Sequence, residues 1–174
     1  MATAITLCTP DRAPEILAIF NDAIANTTAL YDYRARTMAD MEGWFEGKTR
    51  GGYPVLGAVD ESGRLLGFGT FGQFRERPAY KYTVEHSVYV DRAARGRGIG
   101  RQLLAAVIDR AREADYHCLI GGIDAENAVS IALHTRMGFE FAGRIRQAGF
   151  KFGRWLDLDF YQRVLDTPSH PVDG

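Results

Sequence analysis

The chain has 174 residues, 46% of them hydrophobic and 25% charged, with 21 basic against 22 acidic side chains and a formal net charge of −1. Those values fit one soluble domain with a core of its own, and they exclude a net positive field that would draw the chain to nucleic acid or to a membrane surface. No apolar run reaches the ~18–20 residues that span a bilayer. In chain order, residues 3–8 alternate weakly and stop at Pro10, which predicts a first strand. Ile16, Ile19, Phe20, Ala23 and Ile24 recur at helical spacing, and predict a helix over 11–26. An aromatic-bearing connection follows, Ala29 to Tyr33. Thr37 and Asp40 have the spacing of a capping box for a second helix, which Gly51-Gly52 ends. Residues 54–59 and 65–74 read as a hairpin of two strands around Glu61–Arg64. Phe74–Pro78 is a loop, and 81–90 a long strand. Leu103 to Ala114 is an amphipathic helix, 117–123 a short apolar strand, and Asn127 to Arg136 a helix closed by Gly138. Phe139–Arg146 and Phe150–Arg163 read as two strands around Gly149. Residues 1–166 form a single domain, and 167–174 a frayed, disordered tail.

Cys8 and Cys118 each sit in an apolar run, and no Cys/His spacing points to a metal. With no basic-then-apolar leader at the amino terminus, the expectation is a reduced, cytoplasmic protein without a metal cofactor.

The informative stretch is Glu85 to Arg101, E-H-S-V-Y-V-D-R-A-A-R-G-R-G-I-G-R. Its glycines lie between a strand and a helix. There they let successive N–H groups converge at the positive end of the helix, a place for a phosphate oxyanion. Arg92, Arg95, Arg97 and Arg101 add charge. No Gly-Lys-Ser/Thr follows, so this is not a nucleoside triphosphatase loop, and G-x-G-x-G is not the dinucleotide-binding fingerprint. Solvated arginines on an ordinary glycine turn is the plainer alternative.

The pattern resembles the pyrophosphate loop of the GCN5-related N-acetyltransferases, with Arg95, Gly98 and Gly100 at its fixed places. The resemblance implies an α/β (α+β) fold, a mixed, mostly antiparallel sheet of about seven strands flanked by about four helices. It also implies acetyl-coenzyme A as co-substrate. Arg95, Gly96, Arg97, Gly98, Ile99, Gly100 and Arg101 would hold its diphosphate. The main chain of Val88, Tyr89 and Val90 would pair with its pantetheine arm. N-A-V-S-I-A-L-H-T-R-M-G-F matches the family's coenzyme-side helix, where Asn127 and Ser130 would touch the cofactor. Asn127 reads equally as a helix cap.

Glu85, on an apolar strand, is the candidate base for an incoming amine, with a solvated strand glutamate as the alternative. Tyr89 and His134 are the candidates for the proton returned to the thiolate, and His134 reads equally as a packing residue.

T-V-E-H-S-V-Y-V, L-H-T-R-M-G-F and G-F-K-F-G-R-W-L-D-L narrow the resemblance to the phosphinothricin and methionine sulfoximine acetyltransferase group. Members acetylate the α-amino group of small amino acid analogues such as methionine sulfoximine, methionine sulfone or phosphinothricin. On that likeness Tyr31, Phe74, Arg75, Glu76, Arg77, Glu85, His86 and Ser87 would line the acceptor site, and the chain would form a homodimer. Arg75 and Arg77 are equally readable as solvated loop charge. The alternatives are the same chemistry on a protein N-terminus, polyamine or antibiotic, and a non-catalytic acyl-coenzyme A sensor.

Overall fold

A computed structural model describes residues 3–173. The chain runs β1 (Ala4–Leu7), α1 (Ala13–Asn26), α2 (Met38–Gly51), β2 (Val55–Val59), β3 (Leu65–Gln73), β4 (Thr83–Val90), α3 (Ile99–Glu113), β5 (Cys118–Asp124), α4 (Ala128–Arg136), β6 (Glu140–Lys151) and β7 (Arg154–Val164). The strands form one seven-stranded sheet in the order β1-β2-β3-β4-β5-β7-β6. Every neighbouring pair is antiparallel except β4–β5.

Helices cover both faces. On one face α3 presents Ile99, Leu103, Leu104, Val107, Ile108 and Ala111, all buried at helical spacing. Leu104, Val107, Ile108 and Ala111 join a core with Leu56, Phe71 and Val84, and Ile99 and Leu103 one with Ala58 and Leu66. The helix lies close because β3 carries glycine beneath it: a Cβ at Gly69 would stand 2.9 Å from Val107 Cγ2. The glycines of β3 therefore serve close packing, and the register shift of that hairpin falls at Ala58/Val59 instead. On the opposite face α1 and α2 bury Ile16, Phe20, Met41 and Phe45 against Phe68. The capping box is formed: Asp40 N–H donates to Thr37 Oγ1 at 3.2 Å, and Thr37 N–H donates to Asp40 Oδ2 at 2.7 Å.

One boundary differs from the sequence reading. The last hairpin does not turn at Gly149. Its two-residue loop is Phe152-Gly153, both at positive φ (52° and 75°), between the paired residues Lys151 and Arg154. Two positive φ values match the right-handed twist of the flanking strands. Gly149 lies within β6, next to a register shift, and a Cβ there would stand 2.7 Å from the Tyr31 ring. The glycine serves close approach, which in sequence looks the same as a turn. Beyond β7, Thr167 Oγ1 donates to Tyr116 O at 2.5 Å and Val172 N–H to Tyr82 Oη at 3.2 Å.

The hairpin tip also holds the α1–α2 connection. Lys151, 5% exposed, donates from Nζ to Ile24 O, Thr27 O and Leu30 O at 2.7, 2.9 and 2.6 Å. Tyr33 Oη donates to Phe150 O at 2.5 Å. Replacing Lys151 by Met leaves three sheltered carbonyls without a donor, so urea denaturation should show a loss of about 3 kcal/mol.

Candidate active site

The parallel pairing of β4 with β5 covers Thr83, Val84 and Glu85 opposite Cys118, Leu119 and Ile120, and then ends. β4 continues to Val90 paired only with β3, and β5 continues to Asp124 paired only with β7. The two strands thus part into a wedge-shaped opening in the sheet. Asp91 N–H donates to Leu66 O at 2.9 Å, across to β3. Peptide groups alternate sides along a strand, so those of Val88 and Val90 turn the other way, into the opening. Arg95 Nε donates to Val90 O at 3.3 Å, and Arg95 also meets Asp22 at 3.3 Å.

At the wide end of the wedge the chain turns through Arg95–Gly98 into α3. Gly96 and Gly98 have φ of 75° and 80°, a region costly for other residues, and a Cβ on either would meet nothing within 4 Å. The cradle is therefore open. The first intrahelical bond runs from Gln102 N–H to Gly98 O, so the first-turn amides of α3 have no acceptor within the helix. Open space, oriented N–H groups and three arginines fit a diphosphate. Ile99 is buried and anchors the turn to the core, so its side chain faces away from a ligand. Among the described residues no cluster of His, Cys, Asp or Glu could hold a metal ion.

Glu85 is the last paired residue at the apex. Its face carries Ser87 and Tyr89, and Gly122 of β5 lies beside it: a Cβ on Gly122 would be 3.3 Å from Glu85 Oε1. Although the residue opens to solvent on one side, burial raises the carboxyl pKa, and Arg75 opposes the rise. Tyr89 packs between Phe20 and Phe68, at 5.3 and 5.4 Å between ring centroids. Burial lifts its phenol to about 12 against the pull of Ser87. Arg75 stacks on Phe74 at 4.9 Å, and its carbonyl accepts from Gln73 Nε2 at 3.0 Å. Glu76 and Arg77 lie exposed on the same loop, and Arg77 caps the short turn at 78–80. Tyr31 comes from the α1–α2 connection.

Two expected placements are corrected. His86 does not stand with Glu85 and Ser87, because the pleat turns it to the other face. It is 5% exposed there, with Nε2 2.9 Å from His134 Nε2 and its ring against Phe139. His134 is 6% exposed, and its Nδ1 lies 2.8 Å from Ser130 O. A carbonyl only accepts, so Nδ1 carries the hydrogen and His134 Nε2 accepts from His86 Nε2–H. Both nitrogens of His134 are thus engaged in the core, on the face opposite Glu85 and Tyr89. Burial lowers the pKa of both imidazoles, and the second charge lowers that of His86 further. Asn127 caps α4, its Oδ1 accepting from Ser130 N–H at 3.1 Å.

Asp124 was not anticipated. The available signal was a carboxylate closing an apolar strand at the C-terminal end of a parallel pair, where α/β ligands gather.

A sheet parted beside a nest of amides at a helix start offers main-chain partners to an extended ligand and a seat for an anion at its end. Residues 16–139 match the Acetyltransferase (GNAT) family. The chain belongs to that family, has its fold and is an N-acetyltransferase. It is 48% identical over 159 residues to an L-methionine sulfoximine/L-methionine sulfone acetyltransferase of Pseudomonas paraeruginosa, covering 91% of this chain and 92% of that one. Its structure superposes on an N-acetyltransferase from Staphylococcus aureus Mu50 with a TM-score of 0.91 at 46% identity, over 94% and 99% of the two chains. It also superposes on a phosphinothricin acetyltransferase from Sinorhizobium meliloti, solved with acetyl-coenzyme A, with a TM-score of 0.93 at 34% identity over 98% and 93%.

The neutral, buried histidine pair has a consequence for stability. Folded-state pKa values below the ordinary 6.5 mean that the unfolded chain binds more protons in acid. Stability should be full above about pH 6.5 and fall below it, by about 1.4 kcal/mol per pH unit for His86, whose folded value is about 3, with His134 adding to the fall. Denaturation midpoints across pH 4–8 check this, and His86→Gln with His134→Gln should flatten the slope.

Proposed function

We propose that the chain moves the acetyl group of acetyl-coenzyme A to the α-amino group of a small amino acid analogue of the methionine sulfoximine, methionine sulfone or phosphinothricin kind. The observation that carries the reading is Glu85 at the apex of the wedge, with a raised pKa and Gly122 leaving room beside it. An α-ammonium group with a pKa of about 7.7–8 is mostly protonated at neutral pH. Glu85 accepts its proton, directly or through water, and passes it to solvent. The freed nitrogen attacks the thioester carbon.

The Val88 and Val90 peptide groups lie along the opening, where the pantetheine arm would pair with them, and one N–H serves the developing oxyanion. As the carbon–sulfur bond breaks, Tyr89 gives the sulfur a hydrogen bond. A phenol near 12 keeps its own proton beside a thiol of about 8.5, so the sulfur takes the second proton of the attacking nitrogen. The Arg95–Arg101 turn would bind the diphosphate, with Asn127 and Ser130 on the neighbouring helix start. Arg75, whose charge reaches Glu85, would take the acceptor's carboxylate.

Cytoplasmic residence and a homodimer complete the proposal. Cys8 and Cys118 are free thiols, and among the described residues no helix is long and apolar enough to cross a membrane. β6 is an edge strand, and its hairpin leaves Phe141, Ile145, Phe150, Phe152 and Trp155 exposed, a surface that a second copy would cover. Light scattering after size exclusion should give twice the chain mass, and Phe152→Asp with Trp155→Asp should give the single mass.

Catalysis is tested by thiol release. The acid limb of kcat/KM should lie above the ordinary carboxylate range, activity rising as Glu85 ionises. Glu85→Gln should lower kcat about 10²–10⁴-fold, abolish the limb and leave coenzyme binding intact. An unchanged profile removes Glu85 from the role. Preference for peptides or polyamines over the three analogues selects a different acceptor, and coenzyme binding without transfer to any amine marks a sensor.

A further inference from the structure

Three Asp or Lys side chains are buried among the described residues, and two of them are paired. Asp159, 2% exposed, is held by Arg144 at 2.6 and 2.9 Å. Lys151 is held by its three carbonyls. Asp124, 4% exposed, accepts only the main-chain N–H of Glu126, at 3.1 Å from Oδ1. Its Oδ2 is sealed from solvent and meets no donor. A buried carboxylate oxygen without a donor is costly, and native structures keep one where a ligand completes it.

A second orphan lies over the same face: Tyr31 packs against Gly149, whose partner Leu156 is two residues along β7 from Leu158, the partner of Asp124. Tyr31 Oη is sealed and unpartnered too, and after burial the charge of Asp124 contributes most to raising its phenol. Asp157, Asp159 and Arg154 also act on Tyr31, but each is engaged. Asp159 is held by Arg144, Asp157 Oδ1 accepts from Gln147 N–H at 2.8 Å, and Arg154 pairs with Glu126 at 2.9 Å. Position along the strand ties Asp124 to the reacting groups. It lies two residues after Gly122, on the face that holds Glu85, and so about 7 Å further along β5 toward the wide end.

We propose that Asp124 Oδ2, with the Tyr31 hydroxyl over the same face, receives an N–H group of the acceptor amino acid, and that this contact sets which acceptors are used. The proposal rests on the acetyltransferase reading above and adds a specificity-determining residue to it. A shift of the Tyr31 phenol admits the ligand to Oδ2. A carboxylate accepts and does not donate, whereas a phenol does both. A sulfoximine meets the pair with its N–H on Asp124 and its oxygen on Tyr31. A sulfone offers two oxygens and no hydrogen. An α-ammonium group offers three N–H donors whatever the side chain is.

The test uses Asp124→Asn and Tyr31→Phe in the full chain. Asparagine keeps an oxygen for Glu126 N–H and turns an NH₂ toward the ligand, donor against donor. Phenylalanine keeps the ring against Gly149 and removes only the hydroxyl. Steady-state kinetics with methionine sulfoximine and methionine sulfone are run beside calorimetric binding of both in the presence of coenzyme A. Asp124→Asn should raise the acceptor KM about tenfold or more, with acetyl-coenzyme A KM and melting temperature unchanged, and Tyr31→Phe should raise it less. A loss confined to the sulfoximine identifies the side-chain N–H as the donor, and an equal loss on both identifies the α-ammonium. An acceptor KM within twofold of wild type for both analogues overturns the assignment. So does a parallel loss of melting temperature and coenzyme affinity, which marks a purely structural residue. If Asp124→Asn does not fold, Tyr31→Phe decides by the same readings. A wild type that neither binds nor acetylates either analogue defeats the acceptor reading itself, whereas an active wild type matched by Asp124→Asn defeats only this inference.

Discussion

Parallel pairing between β4 and β5 stops at Glu85 and Ile120, and the chemistry of this fold depends on that stop. Each strand keeps its other partner, so the sheet stays whole while its middle opens. Peptide groups that would have closed a ladder are left facing a gap. A ligand with amides of its own can replace the missing strand, which is β-augmentation inside one domain. The same parting brings a carboxylate, a glycine and a phenol to one face without a flexible loop to hold them.

The helices set the rigidity of the opening. α3 packs so closely on β3 that its first turn is fixed relative to β4, and the amide nest inherits that position. On the far side of β4 the His86–His134 pair ties the strand to α4 through one hydrogen bond between two neutral rings. The acceptor face is organised differently. There Lys151 and Tyr33 pin an irregular connection to the last hairpin, and Tyr31 stands on that connection. The coenzyme side is thus built from regular elements, and the acceptor side from a tethered loop, which is where specificity varies most readily.

Much of this was legible in the residues. Periodicity gave the elements, Thr37-x-x-Asp40 gave a real capping box, and R-G-R-G-I-G placed an open amide turn at a helix start. Alternation along β4 also placed Tyr89 with Glu85. It placed His86 on the other face as well, and the family likeness that grouped His86 with Glu85 and Ser87 overrode the pleat. What stayed hidden was tertiary. Gly149 reads as a turn until Tyr31 is seen against it. Lys151 looks like a surface charge until three carbonyls surround it, and Asp124 is one aspartate among many until its second oxygen is found without a partner. No local pattern encodes a contact between residues some 120 positions apart.

The central claim is that the parted strands and the glycine turn together hold an acyl thioester with its reacting carbon beside Glu85. A crystal structure of the chain with acetyl-coenzyme A tests it most directly. The account predicts diphosphate oxygens about 3 Å from main-chain nitrogens between Gly96 and Arg101, pantetheine amides paired with Val88 and Val90, and the thioester facing Glu85. Diphosphate bound elsewhere, or an opening between β4 and β5 that the pantetheine does not enter, contradicts it.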